Sequence, residues 1–428
     1  QRHFFGIKVD MKLMRYLGLI WLFNRENLQT QRLDCSGYTL SQNPKPIHLS
    51  KESINSYNSN KIHLPIDILP ILYVMNIYFS IYKAIQEIEE YFNVQSIDVH
   101  RTGWGYHVDT LYRAIKVYGP TYDMYLVDNV EDADIEFCPA TPQCKMLPDI
   151  TPNCYYTMSE TTGLPQLWID CLNRWDICLN PSHWGTHNFQ KLLSVPTEWI
   201  GFIHDVEKYP YIERNMSGDW YYLAMGLGFT DRKNLNMVME PFMNNQFPSD
   251  AKLTVKLTPM AGEPNQFINN ESIAIVYGHL PTENLNALYA MSHVSVNPSR
   301  GEGIGLIISE CGMTGMCSIV SNFSALTEFE HTLKISGDVV ESPYIMQGGK
   351  DFEPDPESLL KQMIWTYENR EEAMEMGRLA SESYRKQFNP HAFIGRLHHV
   401  FEGLVKHKKK RLEVPNPNFD EEWLRNYG

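Results

Sequence analysis

The chain has 428 residues, room for two or three domains rather than one small module. Hydrophobic residues at 43% and charged residues at 21% exclude a disordered chain, a collagen and a disulfide-stapled miniprotein. Lys and Arg number 37 against 51 Asp and Glu, a net charge of −14, which argues against gripping a polyanion over a whole face and leaves room for a local basic site around one phosphorylated ligand.

In chain order, residues 1–95 are the least readable part and stand as an unassigned N-terminal extension. Residues 13–23 (LMRYLGLIWLF) are apolar but short, broken by Arg15 and followed by no small-residue cleavage site, so a signal peptide is not expected. Residues 64–82 have the length of a membrane span. Pro65, Asp67, Pro70 and Asn76 would make them a costly bilayer helix, and a buried core or interfacial segment fits better.

From residue 96 short β-rich runs alternate with helical stretches. SIDVH (96–100) reads as a strand, RTGWGYH (101–107) as a glycine turn, and 108–119 as a helix closed by Gly119 and stopped by Pro120. MYLVD, CYYTM and DICLN are further strands, with a helix over LPQLWIDCLNRW between the last two. A second series opens at Trp220: a strand and glycine turn (WYYLAMGLG), a helix over 232–245, strands LTVKL and IAIVYG, a helix over 283–292, strand VSVNPS, a helix over 304–315 and strand CSIVS. The rhythm predicts an α/β protein of two Rossmann-like, doubly wound halves facing a cleft. The first spans 96–205 and the second 206–385. The tail is mostly helical from Asp355 on, and its last part, 386–428, is expected to pack back on the first half.

Eight cysteines (35, 138, 144, 154, 171, 178, 311 and 317) form no CxxC pair, so buried thiols in a reducing compartment are expected. The acidic run VEDADIE, with Glu131, Asp132 and Asp134, reads as a solvated turn rather than a metal site. KHKKKR (406–411), bounded by Lys406 and Arg411, reads as the solvated end of a helix, with an anionic lipid surface or nucleic acid as the other reading. A cytoplasmic location follows, with that run as a candidate peripheral contact.

The most informative stretch is 297–328. Gly301, Gly303 and Gly305 bracket Glu302 in a turn that ends a strand and starts a helix. Missing side chains let the backbone approach a ligand, and the helix start offers amides to an anion. That is a diphosphate seat. Glu302 would repel phosphate and should accept hydroxyls instead. Glu310, eight residues on, lies within about 12 Å along a helix axis. Two hydroxyl-reading carboxylates flanking a phosphate seat suit a nucleotide sugar.

Pro298-Ser299, EGIGLIISE from Glu302 to Glu310, Gly315, Ser321 and Glu328 resemble the E-x7-E signature of retaining glycosyltransferases of family 4, which have the two-domain GT-B fold. Cys317 stands where that family usually has Pro. LAMGLGFTDRKNLNMVMEPF resembles the family's glycine–loop–Lys–helix segment; Lys233 matches the Lys, and Leu227 replaces the usual Arg, so Arg232 or Lys256 is left to supply the second cation. TGWGYHVDTLYRAI resembles the glycine loop that faces the donor phosphate and acceptor, with Gly103, Gly105 and His107 in it, and Glu160 lies where a cleft acid would. FIHDV resembles the crossover between halves, without the Gly that usually follows His204. The likeness covers roughly 96–400.

The resemblance implies front-face transfer from a nucleoside-diphosphate sugar with retention, and no bound metal or other cofactor. Glu302 would read the transferred sugar, the amides of Ile304 to Leu306 would hold phosphate, Glu310 would hold the ribose, and Lys233 with Arg232 would neutralise the leaving group. His107 and Glu160 would face the acceptor or sugar. A saccharide or lipid-linked glycan is the favoured acceptor. A modified DNA base is the other acceptor, and a non-catalytic nucleotide-sugar binder is the other class.

Overall fold

The computed structural model describes residues 2–4, 7–9, 74–80, 103–142, 145, 147–227, 230–258, 271–278, 280–343 and 348–413. All of them belong to one compact unit. A small antiparallel pair, β1 (Arg2–Phe4) and β2 (Ile7–Val9), opens the chain. The strand expected at 96–100 lies outside the described residues.

The first large sheet contains β3 (Met75–Phe79), β4 (Met124–Val127), β5 (Ile135–Pro139), β6 (Asn153–Tyr156), β7 (Ile177–Asn180) and β8 (Thr197–Trp199), in the spatial order β4-β3-β5-β6-β7-β8 and parallel throughout. Every residue of β5, β6 and β7 is buried, as expected of parallel strands covered on both faces. β3 corrects the reading of 1–95 as an extension: it is an interior strand, and Asn76 is fixed by its amide to the Asp134 carboxylate at 2.9 Å. A five-residue run behind Pro65 and Pro70 carries too little pattern to announce itself.

Helix α1 (Gly103–Tyr118) begins at the first glycine, so Gly103 and Gly105 form its first turn instead of a loop before it. Gly119 ends it because a Cβ there would sit 2.8 Å from the Met124 carbonyl oxygen. α2 (Gln166–Leu172) and α3 (His183–Leu192) follow; Ser182 caps α3 by accepting the Gly185 amide at 3.0 Å.

The second large sheet has β9 (Trp220–Leu227), β10 (Ala251–Thr258), β11 (Ile273–Tyr277), β12 (Val294–Asn297), β13 (Cys317–Ser321) and β14 (Thr332–Ile335), ordered β11-β10-β9-β12-β13-β14 and again all parallel. Trp220, Tyr222, Val255, Leu257, Val296 and Ile319 are buried in its core. The helices between its strands are α4 (Leu235–Met243), α5 (Thr282–Met291) and α6 (Leu306–Met313). Strand order reverses between β9 and β12. The C-terminal ends of those two strands are therefore the topological switch point, the place where such sheets take ligands.

An antiparallel hairpin, β15 (Gly337–Glu341) with β16 (Lys350–Pro354), comes next, followed by α7 (Pro356–Glu368), α8 (Arg370–Gln387) and α9 (Pro390–Glu413). Asp355 caps α7 and Pro356 occupies its first turn. α9 returns to the first half, packing on α1 and bringing the Phe401 ring 5.4 Å from that of Phe137. No helix among the described residues is long and apolar enough to cross a membrane.

α8 clamps the far end of α6, where the chain turns back into β13. Ser381 donates to the Met313 carbonyl at 2.6 Å, and Gly377 lies directly on the Gly315 carbonyl at the turn between α6 and β13. Gly377→Ala would drive a methyl into backbone that cannot move aside. It should lower unfolding free energy by about 2 kcal/mol, the scale of an overpacked core, read from urea titration with tryptophan fluorescence.

Candidate functional site

The loops after β9 and β12 are stitched to each other before any charged side chain is considered. The Arg300 amide donates to the Arg232 carbonyl at 2.8 Å, the Ser299 hydroxyl reaches the same oxygen at 3.1 Å, and the Arg232 guanidinium donates to the Gly301 carbonyl at 2.8 Å. This lacing brings Lys233, at the end of one loop, to Glu302 in the other. The Lys233 Nζ lies 2.5 Å from Glu302 Oε1, and Arg232 Nη1 lies 3.2 Å from the same oxygen. The second nitrogen of Arg232 reaches Glu160 of the first half at 3.0 Å.

Glu302 is 7% exposed. Burial alone would push its carboxyl up, but the two adjacent cations overrule burial and hold it below the usual carboxylate range. Burial draws the Lys233 ammonium down, and Glu302 opposes that. Its own amide donates to the Ser324 hydroxyl at 2.9 Å. Immediately after it, Gly305 takes a φ of +92°, a conformation glycine adopts without strain, and turns the chain into α6. The Ile308 amide donates to the Gly305 carbonyl at 3.1 Å, which leaves the amides of Leu306 and Ile307 at the helix start without an acceptor inside the helix.

Glu310, on the same helix, sits in a different environment. It accepts the Tyr289 hydroxyl at 2.6 Å, and burial raises its carboxyl. Lys256 donates to Thr258 at 2.7 Å, and its field acts on Glu310. Of the two candidates for a second cation beside Lys233, the structure thus places Arg232 at Glu302 and Lys256 toward Glu310.

Three contacts join the halves around this site. A Cβ at Gly301 would fall on the Glu160 carbonyl oxygen, and one at Gly303 on the Met158 sulfur. These two glycines therefore admit the 158–160 segment of the first half, where the sequence reading had reserved the space for a ligand. Thr162 and Lys350 exchange hydrogen bonds at 3.0 and 2.8 Å. Glu328 accepts the amides of His183 at 3.1 Å and Trp184 at 2.7 Å, capping α3 across the boundary. The motif contains Glu328, but only the folded chain reveals its partner.

His107 does not face the cleft. It is fully buried, 2.9 Å from the Tyr156 hydroxyl. The same hydroxyl lies 3.0 Å from the Gly201 carbonyl oxygen. His204, equally buried, has Nε2 2.6 Å from the Ser309 hydroxyl on α6. Among the described residues no cluster of three or more His, Cys, Asp or Glu could hold a metal ion, and the six described cysteines are buried free thiols. Lys406 is paired with Glu402 at 2.7 Å; the side chains of 409–411 lie outside the described residues.

No protein-family model matches the sequence and no curated protein matches it. Solved structures do. Sucrose-phosphate synthase from Thermosynechococcus elongatus is similar over 70% of this chain and 79% of its own, at 13% identity and a TM-score of 0.50. HepE from Anabaena, solved with UDP and glucose, is similar over 77% of this chain and 100% of its own, at 10% identity and a TM-score of 0.51. A UDP-forming trehalose-phosphate synthase from Burkholderia xenovorans covers 76% and 86%, at 10% identity and 0.50. The fold is the two-domain GT-B arrangement.

Burial holds both His107 and His204 down at about 3. Unfolded histidine titrates at about 6.5, so the fold carries no penalty above that pH and loses stability as pH falls below it, where only the unfolded chain takes the proton. From pH 8 to 5.5 each should cost about 1.4 kcal/mol. His107→Gln, which keeps a hydrogen-bonding side chain beside Tyr156, should flatten the fall in unfolding free energy by about that amount in urea titrations at the two pH values.

Proposed function

We propose that this protein is a retaining glycosyltransferase of the family 4 type, moving a sugar from a nucleoside-diphosphate sugar to an acceptor hydroxyl without a metal ion. The observation that carries the reading is the convergence of Lys233, Arg232 and the start of α6 on Glu302, at the point where strand order reverses. Breaking an anomeric bond builds negative charge on the departing diphosphate and positive charge on the sugar ring. Two cations and a helix start answer the first demand; a buried, ionised carboxylate answers the second and can also accept sugar hydroxyls.

In the structure Glu302 and Glu160 already balance Lys233 and Arg232. An arriving diphosphate would compete for those cations, and Arg232 is the one it would draw from the first half. The uridine diphosphate present in HepE, and the UDP released by the trehalose-phosphate synthase, favour a uridine-diphosphate sugar as donor. A saccharide or glycolipid hydroxyl is the acceptor that suits an acidic chain with a local basic site.

Glu302→Gln and Lys233→Met should each reduce consumption of the best donor from a panel of nucleotide sugars by at least about tenfold, since one preorganised donor is typically worth about 3–4 kcal/mol. Far-UV circular dichroism at the assay temperature should stay the same. Full activity in both variants would remove the site assignment, and donor binding without turnover by the unaltered protein would make it a binder.

A further inference from the structure

The four charges that meet around Glu302 sum to zero. Lys233 and Arg232 are matched by Glu302 and Glu160, so a diphosphate meets no net positive charge from this set unless one acid gives way. The two acids are held differently. Glu302 takes both cations on one oxygen, at 2.5 and 3.2 Å, with 9% of its side chain exposed. Glu160 comes from the other half and meets Nη2 of Arg232 at 3.0 Å, and these two side chains are 16% and 23% exposed. Nη1 of the same arginine stays with the second half: it donates to the Gly301 carbonyl at 2.8 Å and lies 3.2 Å from Glu302. The guanidinium can therefore release Glu160 and keep its place on the site loop. The segment that carries Glu160 is seated independently of the ion pair. Its backbone lies against Gly301, the Ser159 hydroxyl accepts the Thr161 amide at 3.2 Å, and the Thr162 amide donates to the Lys350 carbonyl at 3.0 Å.

We propose that Glu160 is a built-in competitor of the donor: its carboxylate occupies the Nη2 side of Arg232 that a diphosphate oxygen needs, and donor binding exchanges one anion for the other on a single arginine. This rests on the nucleotide-sugar reading given above. A carboxylate and a phosphate oxygen accept the same charge-assisted bond from a guanidinium, so the exchange leaves the number of hydrogen bonds on Arg232 unchanged. The larger charge of the diphosphate sets its direction. Lys233 and Glu302 stay paired throughout, because neither belongs to the first half and both are more deeply buried than the pair that exchanges. Glu160 thereby lowers the affinity for any nucleoside diphosphate, whatever its base, and couples the arrival of the donor to the loss of one contact between the halves.

The test is binding of UDP, GDP and ADP to the full chain by calorimetry. For whichever binds best, Glu160→Gln should tighten binding about two- to fivefold, the range of one partly exposed ion pair, since the amide keeps the shape of the side chain and gives up its charge. A substitution that only disturbed the boundary would weaken binding or leave it unchanged, and either result overturns the proposal. With Arg232→Met in the background, the same change at 160 should have little effect, because the shared arginine is gone. An equal gain in that background would mark plain repulsion between carboxylate and diphosphate and would also overturn the exchange. The underlying reading fails separately: if the unaltered protein binds no nucleoside diphosphate, or Arg232→Met alone binds it as tightly, Arg232 is not a phosphate ligand and Glu160 has nothing to compete for.

Discussion

A carboxylate with almost no exposed surface, opposite two cations on a neighbouring loop, is the constraint around which the second half is arranged. Burying Glu302 alone would cost several kcal/mol, and its pairing with Lys233 and Arg232 offsets that only because both loops are held at fixed separation. Backbone does this work. The Arg232 carbonyl receives the Arg300 amide and the Ser299 hydroxyl, so the loop that supplies the cations also serves as acceptor for the loop that supplies the acid. Parallel strands at a reversal of order put the two loops side by side, and the short polar residues of PSRG let them interlock.

The same charges reach across to the first half. Arg232 touches Glu160, Gly301 and Gly303 receive the 158–160 segment, Glu328 caps α3, and Thr162 meets the β15–β16 hairpin. These contacts are mostly polar and few are deeply apolar, as boundaries between the parts of one chain commonly are. The exception lies behind them. Phe202, Phe329, Tyr384 and Phe388 form an aromatic packing at the crossover, with Phe202 and Phe388 stacked at 4.3 Å. The apolar packing lies at the crossover, the polar contacts around the Glu302 site.

How much of this could be read beforehand follows from the range of each interaction. Strands and helices from Met124 onward were legible because apolar runs alternate with turn residues at short spacing, a local signal. β3, β5, α3, β8, β14 and the β15–β16 hairpin were not, being three to ten residues long and defined by what they pair with; the acidic run read as a solvated turn ends in β5, where Glu136 is buried. At the site, Lys233 and Glu302 each precede a helix after an interior strand, so their proximity follows from topology once the strand order is known. Arg232 to Glu160 and Glu328 to His183 follow from no local rule, since they join positions 72 and 145 residues apart. His107 shows the opposite failure: a polar residue near a glycine loop suggests a cleft group, and only the fold reveals a neutral ring buried against Tyr156.

The two acids of the E-x7-E spacing illustrate what a motif leaves out. In the sequence they are equivalent acids eight residues apart; in the fold one lies in the turn before α6 and the other within it. In the fold Glu302 faces cations, and its carboxyl is driven down; Glu310 is buried against the Tyr289 hydroxyl, and its carboxyl is driven up. A group held firmly ionised can balance positive charge that appears on a sugar ring during reaction. A buried carboxyl with a hydroxyl partner is suited to exchanging hydrogen bonds with another polar group. On the proposed reading identical residues eight apart take an electrostatic role and a recognition role, and what separates them is Lys233, Arg232 and Tyr289, not the acids themselves.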